Sequence, residues 1–402
     1  MFLIKNSMDR LITLSKRKLE VLSFSFARYL FEKIDWEQRL ILILGHRGAG
    51  KTTLMLQKMQ SEKREESIYL SLDDFYFEGN RLVVLVEELY QLGYRRFFLD
   101  EVHRYEHWSV DLKTLFDQYE DAYFVVSGSS ILGISKGNAD LSRRAAQYVL
   151  AGMSLREYIE LEKGISFPVL RLEDLLSNPQ ELTMSITDQV DILYVFRDYL
   201  IFGYYPFYKQ GKELYPERLI QTTHLVLEMD IAPFEELTHK TIQTMKKLLY
   251  IISESVPFIP NVSKLAERLG VSRNTVLKVL DLLHQAQVLN LLRSSVQGVS
   301  FLQKPEKIYL HNPNLAFALS PSEVNLGNVR ETFFFNQLQV LHQVSFPKFG
   351  DFKVDQGFYF EIGGPNKSAH QLQGVPNSYL ALDGITTGNS NRIPLWAFGF
   401  LY

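Results

Sequence analysis

Residues 45–52 read G-H-R-G-A-G-K-T, a combination of glycines, lysine and threonine that suits a bound polyphosphate. The glycines let backbone N–H groups wrap a phosphate chain, where side chains would collide with it. Lys51 is then expected to reach the β- and γ-phosphates, and the Thr52 hydroxyl to hold Mg²⁺. The apolar run 40–44 and the helix-forming stretch 53–58 are the flanks that this motif needs. The predicted nucleotide-binding residues are Gly45, His46, Arg47, Gly48, Ala49, Gly50, Lys51, Thr52 and Thr53.

An acidic pair, Asp100 and Glu101, follows the strand-like run 96–99. Many strands end in solvated acids, but after a phosphate-binding loop this pattern is typical of a Walker B element. Asp100 is expected to hold the metal through water, and Glu101 to polarise the attacking water. The two adjacent carboxylates therefore favour hydrolysis of the bound nucleotide.

Two further strand-like runs, 67–72 and 122–127, accompany these motifs. The first lies between the phosphate-binding loop and the acidic pair, and the second ends in serines. An additional strand in this place resembles the arrangement of AAA+ and related ATPases. The resemblance implies that a polar residue at the tip of the second strand contacts the γ-phosphate, so Ser127 and Ser129 are candidate sensors. The alternative is a simple serine-rich turn.

Composition limits the class of protein. The chain has 402 residues, of which 46% are hydrophobic and 22% charged, with a formal net charge of −3. The length predicts about two to four domains, and the charge provides no overall basic field for nucleic acid. The lack of cysteine excludes disulfides and thiolate chemistry. No apolar run reaches the roughly 18 residues of a membrane span, so we expect a cytoplasmic protein without membrane contact.

Periodic patterns predict an α/β fold in five segments. Residues 1–37 are expected to form a helical lead-in, because apolar residues recur at helical spacing from 8 to 36. Alternating strand and helix signals over 38–155 predict a parallel sheet with crossover helices. Residues 156–240 are expected to form a helical lid, which follows a helix cap at Ser154 and is broken by glycine and proline signals.

The fourth segment, 241–320, contains a helix-turn-helix pattern. A short helix ends at Gly270, a second helix follows, and the strand-like run 288–292 fits a winged form. Ser272, Arg273, Asn274 and Lys278 are left on the outer face of the second helix, where they suit contacts with double-stranded DNA. Because the segment has few basic residues, the alternative is a lid or a strut between domains.

The last segment, 321–402, changes to aromatic strands interrupted by glycines. Asp355 and Glu361 lie at the ends of adjacent strand runs, which a short turn would fold into a hairpin. Two carboxylates brought together in this way suit a divalent metal for phosphodiester hydrolysis.

Short motifs are spread along nearly the whole chain. They are G-H-R-G-A-G-K-T-T at 45–53, L-D-E-V-H-R at 99–104, S-G-S-S at 127–130, L-S-R-R at 141–144, K-P-E-K-I-Y-L at 304–310, R-E-T-F-F at 330–334, F-E-I-G-G at 360–364 and I-P-L-W-A-F-G-F-L-Y at 393–402. Together they resemble bacterial and archaeal AAA+ ATPases with a P-loop domain, a winged helix and a C-terminal domain related to restriction endonucleases. The resemblance implies ATP with Mg²⁺, hydrolysis, and an arginine, Arg143 or Arg144, acting on the γ-phosphate. Both arginines are alternatively ordinary surface residues.

The nuclease-like segment departs from an active restriction endonuclease, which carries a lysine two residues after the glutamate. This chain has Gly363 there, so a metal-bound water loses its cation partner and the phosphate loses a stabilising charge. Lys367 could substitute from another direction, and Glu331 could complete the acid set. We therefore expect a small α/β nuclease-like domain that is catalytically impaired.

The leading hypothesis is an Mg²⁺-dependent ATPase that works as a switch or motor with a DNA or protein partner. The alternatives are an ATP-gated regulator that binds DNA without substantial turnover, and a metal-dependent nuclease.

Overall fold

The structure is a computed structural model that describes residues 2–20, 26–62, 64–129, 141, 143–232, 237–254, 259–294, 304–320 and 324–402. The chain divides into two compact units, Met1–Ala151 and Gly152–Tyr402. Two residues of the quoted motifs, Ser130 and Ser142, lie outside the described residues.

The first unit is built on one parallel sheet. Its helices are α1 Phe2–Glu20, α2 Lys51–Ser61, α3 Leu82–Gln91 and α4 Trp108–Gln118. Its strands are β1 Leu40–Gly45, β2 Ser67–Ser71, β3 Arg96–Asp100, β4 Tyr123–Ser129 and β5 Ala146–Leu150. All neighbouring strands run parallel, in the order β2-β3-β4-β1-β5. This confirms the predicted α/β fold with a parallel sheet.

Both faces of this sheet are covered, which explains the continuous apolar runs in its strands. In β1, Leu40, Leu42 and Leu44 pack in the core that α3 and α4 cover. Ile41 and Ile43 pack in the opposite core, which α2 covers. Because the strands are parallel, the loops after β1, β3 and β4 leave the sheet at the same edge.

Within the described residues of the lead-in, 2–20 and 26–37, α1 is the helical part. Residues 29–38 form turns, so the prediction of helical structure up to residue 36 is wrong there. Asp35 stabilises these turns by accepting hydrogen bonds from the Glu37 backbone N at 3.2 Å and from Gln38 Nε2 at 2.7 Å. Leu30 and Ile34 are nevertheless buried, because consecutive turns also bring residues four apart to one side.

The second unit begins with helices and ends in a mixed sheet. The helices are α5 Leu155–Lys163, α6 Leu172–Ser177, α7 Pro179–Thr187, α8 Ile192–Phe202, α9 Tyr215–Leu225, α10 His239–Glu254, α11 Val262–Leu269, α12 Arg273–Gln285, α13 Pro313–Leu319 and α14 Leu326–Leu338. Strands β6 Leu289–Leu292 and β7 Lys307–Leu310 form an antiparallel pair. Strands β8 Val344–Ser345, β9 Phe352–Val354, β10 Phe358–Gly363, β11 Ser378–Leu382 and β12 Arg392–Pro394 form a sheet in the order β12-β11-β10-β9-β8.

Local signals determine where the first helices of this unit begin and end. Ser154 and Glu157 form a capping box at the start of α5, and Gly164 ends the helix with a left-handed conformation. Pro179 occupies the first position of α7. The predicted cap and break points are therefore confirmed. Among the described residues, no helix is both long and apolar enough to cross a membrane.

A buried polar network joins distant segments of the second unit. Asn314 of α13 donates to the Tyr199 carbonyl at 3.0 Å and accepts from the Tyr204 backbone N at 2.9 Å. Gln337 of α14 donates to the Tyr199 hydroxyl at 3.0 Å and to the Tyr402 hydroxyl at 3.2 Å. Segments with different sequence character thus share one core, because buried polar groups in it are satisfied by partners far away in the chain.

Candidate active site

The phosphate-binding loop connects β1 to α2, with residues 46–50 between them. Gly48 and Gly50 have φ angles of 85° and 99°, a left-handed conformation that favours glycine. A Cβ atom on Gly45 would lie 2.5 Å from the carbonyl oxygen of Leu150. Glycine is therefore required for the conformation of the loop and for its close approach to β5.

The start of α2 suits an anion. Among the described residues no side chain caps this helix, whose N-cap residue is Gly50, so its first N–H groups and its dipole favour a phosphate. Lys51 Nζ donates to the carbonyl oxygens of Gly45 at 2.8 Å and His46 at 3.1 Å, which holds the ammonium group inside the loop. His46 and Ala49 are buried, whereas Thr53 is exposed.

Asp100, at the end of β3, is the centre of the site. Its Oδ2 atom accepts hydrogen bonds from Thr52 Oγ1 at 2.7 Å and from the Tyr69 hydroxyl at 2.6 Å, and its Oδ1 atom accepts one from Ser127 Oγ. The carboxylate is buried, with 3% of Asp100 exposed. A hydroxyl at the start of α2 and a carboxylate at this position are the oxygen donors that Mg²⁺ prefers beside a phosphate. These residues therefore fit a bound Mg²⁺–nucleotide.

Glu101 has a strained backbone. Its φ angle is 55°, a left-handed conformation that costs a non-glycine residue about 1–3 kcal/mol and is concentrated at functional sites. Its backbone N–H donates to Ser127 Oγ at 3.1 Å, and its Oε2 atom lies 3.3 Å from His103 Nε2. With 24% of its side chain exposed, Glu101 is accessible to water.

The two candidate sensor residues lie at the end of β4. Ser127 is fully buried, and its hydroxyl connects the Asp100 carboxylate with the Glu101 backbone. Ser129 is 4% exposed, and its backbone N lies 3.4 Å from His103 Nδ1. In this arrangement Ser127 orients the acidic pair, and a contact of either serine with the γ-phosphate stays a prediction.

The two candidate arginines lie just before β5. Arg144 donates to the Asp117 carboxylate of α4 from Nε at 3.0 Å and from Nη2 at 3.1 Å. Arg143 is exposed. This geometry gives Arg144 a surface ion pair, and action of either arginine on a phosphate stays a prediction.

Three residues of the site were missed by the sequence analysis. Tyr69 is a strand residue that looks like ordinary core, and His103 stands two positions after Glu101 without a known spacing rule. The third residue, Arg28, is 4% exposed. Its Nη2 atom donates to the Ala151 carbonyl at 2.8 Å, and its Nη1 atom donates to the Ala49 carbonyl. None of these contacts follows from local spacing.

The candidate DNA residues all lie on one exposed face. Ser272 caps α12 by accepting from the Thr275 backbone N at 3.1 Å, and Arg273, Asn274 and Lys278 are exposed. The opposite face of α12 is buried in the core. A helix with this division has its polar face available to a partner.

The structure does not bring Asp355 to Glu361, so the predicted carboxylate pair is wrong. Asp355 lies in the turn between β9 and β10, with φ of 51°, and binds His342 Nδ1 at 2.8 Å. The hairpin register pairs Phe360 with Phe352, so Asp351 lies next to Glu361. In the described part of the chain, no group of three or more His, Asp or Glu side chains is arranged to hold a metal ion.

Lysines pair with the carboxylates of this region. Lys307 Nζ lies 3.1 Å from Glu331 and 3.3 Å from Asp351, and Lys367 Nζ lies 2.8 Å from Glu361. Burial lowers the pKa of Lys307, but the charges of Glu331 and Asp351 outweigh this effect and raise it. Burial, followed by the charge of Asp351, raises the pKa of Glu331. This pairing is typical of a charge cluster that stabilises the fold.

Sequence families match two regions of the chain. Residues 37–159 match the family described as AAA domain, and residues 194–326 match a domain of unknown function, DUF8612. An uncharacterized protein of Methanocaldococcus jannaschii is 27% identical over 281 residues, which cover 65% of this chain. The matched part spans 59% of the length of that relative.

Two solved structures are weakly similar to this chain. AMPPCP-bound DnaA from Aquifex aeolicus is 13% identical, with a TM-score of 0.27, over 62% of this chain and 83% of that chain. PCH-2 of C. elegans is 18% identical, with a TM-score of 0.24, over 40% of this chain and 45% of that chain. Residues 37–159, which match the AAA domain family, contain the phosphate-binding loop and the acidic end of β3.

Proposed function

We propose that this chain is an Mg²⁺-dependent ATPase that works as a nucleotide-driven switch or motor. The observation that carries the proposal is the 2.7 Å hydrogen bond from Thr52 Oγ1 to Asp100 Oδ2. It places the hydroxyl of the phosphate-binding loop beside the acidic strand end, where a phosphate-bound Mg²⁺ needs both. The AAA domain match over residues 37–159 supports the same function.

Each residue of the site has a separate role in this proposal. The loop N–H groups and Lys51 would hold the phosphates, and Thr52 with Asp100 would hold the metal ion. When bound, Mg²⁺ would neutralise charge on the phosphate oxygens. Glu101 would orient a water molecule and accept its proton, and His103 Nε2 lies 3.3 Å from the Glu101 carboxylate.

Removal of the loop lysine tests nucleotide binding and turnover together. We expect Lys51→Ala to bind ATP at least tenfold more weakly, because a charge-assisted hydrogen bond is worth about 1.5–3 kcal/mol. ATP hydrolysis should disappear with it. Lys113→Ala, which removes an exposed lysine of α4, should behave as the wild type. The proposal is wrong if Lys51→Ala hydrolyses ATP at the wild-type rate.

A second candidate function is DNA binding by the second unit, through α11, α12 and the β6–β7 pair acting as a winged helix. The observation that favours it is the exposure of Arg273, Asn274 and Lys278 on the outer face of α12. Lys264 and Arg268 add exposed positive charge on α11. Because a basic helix face attracts the phosphate backbone, such a module is suited to a duplex.

Salt dependence tests this second function. We expect Arg273→Ala with Lys278→Ala to weaken binding of a double-stranded oligonucleotide at least tenfold. The slope of the logarithm of the binding constant against the logarithm of the salt concentration should fall by an amount that corresponds to about two phosphate contacts. Lys163→Ala with Arg171→Ala removes the same charge from an exposed part of the same unit and serves as the control. If Arg273→Ala with Lys278→Ala binds the oligonucleotide as tightly as the control double variant does, a protein partner is favoured instead.

A further inference from the structure

We propose that Tyr69 is a positioning residue for the metal-binding carboxylate of Asp100, and that helix α1 acts on the metal site through it. This inference rests on the proposed function, since it concerns the Mg²⁺ dependence of nucleotide binding.

Tyr69 holds the carboxylate from the neighbouring strand. The residue lies in β2 and is 4% exposed, and its hydroxyl donates to Asp100 Oδ2 at 2.6 Å. Thr52 donates to the same oxygen atom at 2.7 Å. The two donors thus reach Asp100 from β2 and from the start of α2.

The Tyr69 bond supplements the one from Thr52. In the proposed complex the Thr52 hydroxyl would bind Mg²⁺ through an oxygen lone pair, so its position would depend on the ion as well as on Asp100. The Tyr69 hydroxyl on Oδ2 and the Ser127 hydroxyl on Oδ1 hold the carboxylate independently of the loop. Two fixed donors on opposite oxygens prevent rotation of the carboxylate and so preorganise it.

Helix α1 holds Tyr69 at two points. Lys18 Nζ donates to the Tyr69 hydroxyl oxygen at 3.0 Å and lies 4.4 Å from the centre of its ring. Ser15 Oγ accepts from the Tyr69 backbone N at 2.9 Å. A cation that donates to the phenol oxygen polarises the O–H group toward its acceptor. A chain of hydrogen bonds thus runs from Lys18 through Tyr69 to Asp100.

The test measures binding of the fluorescent analogue mant-ATP to the full-length chain while Mg²⁺ is titrated. Tyr69→Phe removes one oxygen atom and keeps the ring. We expect Tyr69→Phe to bind mant-ATP with unchanged affinity in the absence of Mg²⁺. The Mg²⁺ concentration at which half of the metal-dependent gain in affinity is reached should be about tenfold higher than in the wild type. Lys18→Met should raise that concentration about twofold to threefold, because it weakens the bond without removing it.

Tyr90→Phe is the matched control, because the Tyr90 hydroxyl also donates to a carboxylate, that of Asp121, at 2.6 Å. It should leave the Mg²⁺ dependence as in the wild type. Wild-type Mg²⁺ dependence in Tyr69→Phe would overturn the inference and leave the ATPase proposal intact. If Tyr69→Phe does not fold, Lys18→Met decides, and no change in it overturns the inference. A wild type that binds no mant-ATP at any Mg²⁺ concentration overturns both proposals.

Discussion

Individual carboxylates in this chain differ in what surrounds them, and the surroundings determine what each one can do. Asp100 accepts hydrogen bonds from three hydroxyl groups, of Thr52, Tyr69 and Ser127. Hydroxyl donors hold a carboxylate in place without neutralising its charge, so it still attracts a metal ion. Glu331 and Asp351 instead share the ammonium group of Lys307, which offsets part of their negative charge and reduces the attraction for a cation.

Replacement of Lys307 tests this assignment. We expect Lys307→Met to destabilise the second unit by about 3 kcal/mol at pH 7.5, because two partly buried carboxylates lose their cation. The pKa of Glu331 is already raised by burial, so acid protonates it and relieves the repulsion. The loss of melting temperature relative to wild type should therefore be smaller at pH 5 than at pH 7.5, measured by scanning calorimetry of the full chain.

The direction of the pH effect separates this cluster from a surface ion pair. Lys246 lies 2.6 Å from Glu228 with 45% of the glutamate side chain exposed, so Lys246→Met should change the melting temperature little at either pH. If Lys307→Met lowers the melting temperature by the same amount at both pH values, the charge-cluster interpretation is contradicted.

At the scale of elements, signals contained in a few consecutive residues predicted the structure well. The phosphate-binding loop, the parallel strands beside it and the Ser154 cap depend on neighbours in the chain. The predicted hairpin is present, but the predicted pair of Asp355 with Glu361 is wrong, because Asp355 lies in the turn and the register brings Asp351 to Glu361. A shift in register cannot be read from alternating residues alone, since several turn lengths fit the same pattern.

The capping box of α5 gives an element-scale prediction. Ser154 Oγ accepts from the Glu157 backbone N at 3.1 Å, and the Glu157 carboxylate accepts from the Ser154 backbone N at 3.0 Å. Both residues are fully buried, so Ser154→Ala should cost about 1–2 kcal/mol. We expect a lower melting temperature and faster hydrogen exchange at the start of α5.

An exposed serine provides the comparison. Ser185 of α7 donates to the Leu182 carbonyl at 2.8 Å, and Ser185→Ala should leave both measurements within about 0.5 kcal/mol of wild type. Unchanged hydrogen exchange in α5 of Ser154→Ala would show that tertiary packing, and not the cap, holds the start of this helix.

In the whole chain, a unit that contains most of the match to the AAA domain family is followed by a second compact unit, 152–402. The phosphate-binding loop and the acidic strand end of the first unit were predictable because their chemistry demands a fixed spacing. The role of Tyr69 was not predictable, because it depends on the order of strands in the sheet and on a contact with Lys18 of α1, 51 positions earlier in the chain. Any partner of the second unit would be recognised by its exposed side chains, and the Arg273→Ala with Lys278→Ala variant tests whether that partner is DNA.

The most direct test of the ATPase proposal compares ATP binding with ATP hydrolysis in Glu101→Gln. We expect Glu101→Gln to bind mant-ATP with Mg²⁺ close to wild type and to have a kcat at least about a hundredfold lower, because the amide cannot accept a proton from water. Glu106→Gln, an exposed acid of the same loop, should hydrolyse ATP normally. Wild-type turnover by Glu101→Gln would contradict the assignment of this site.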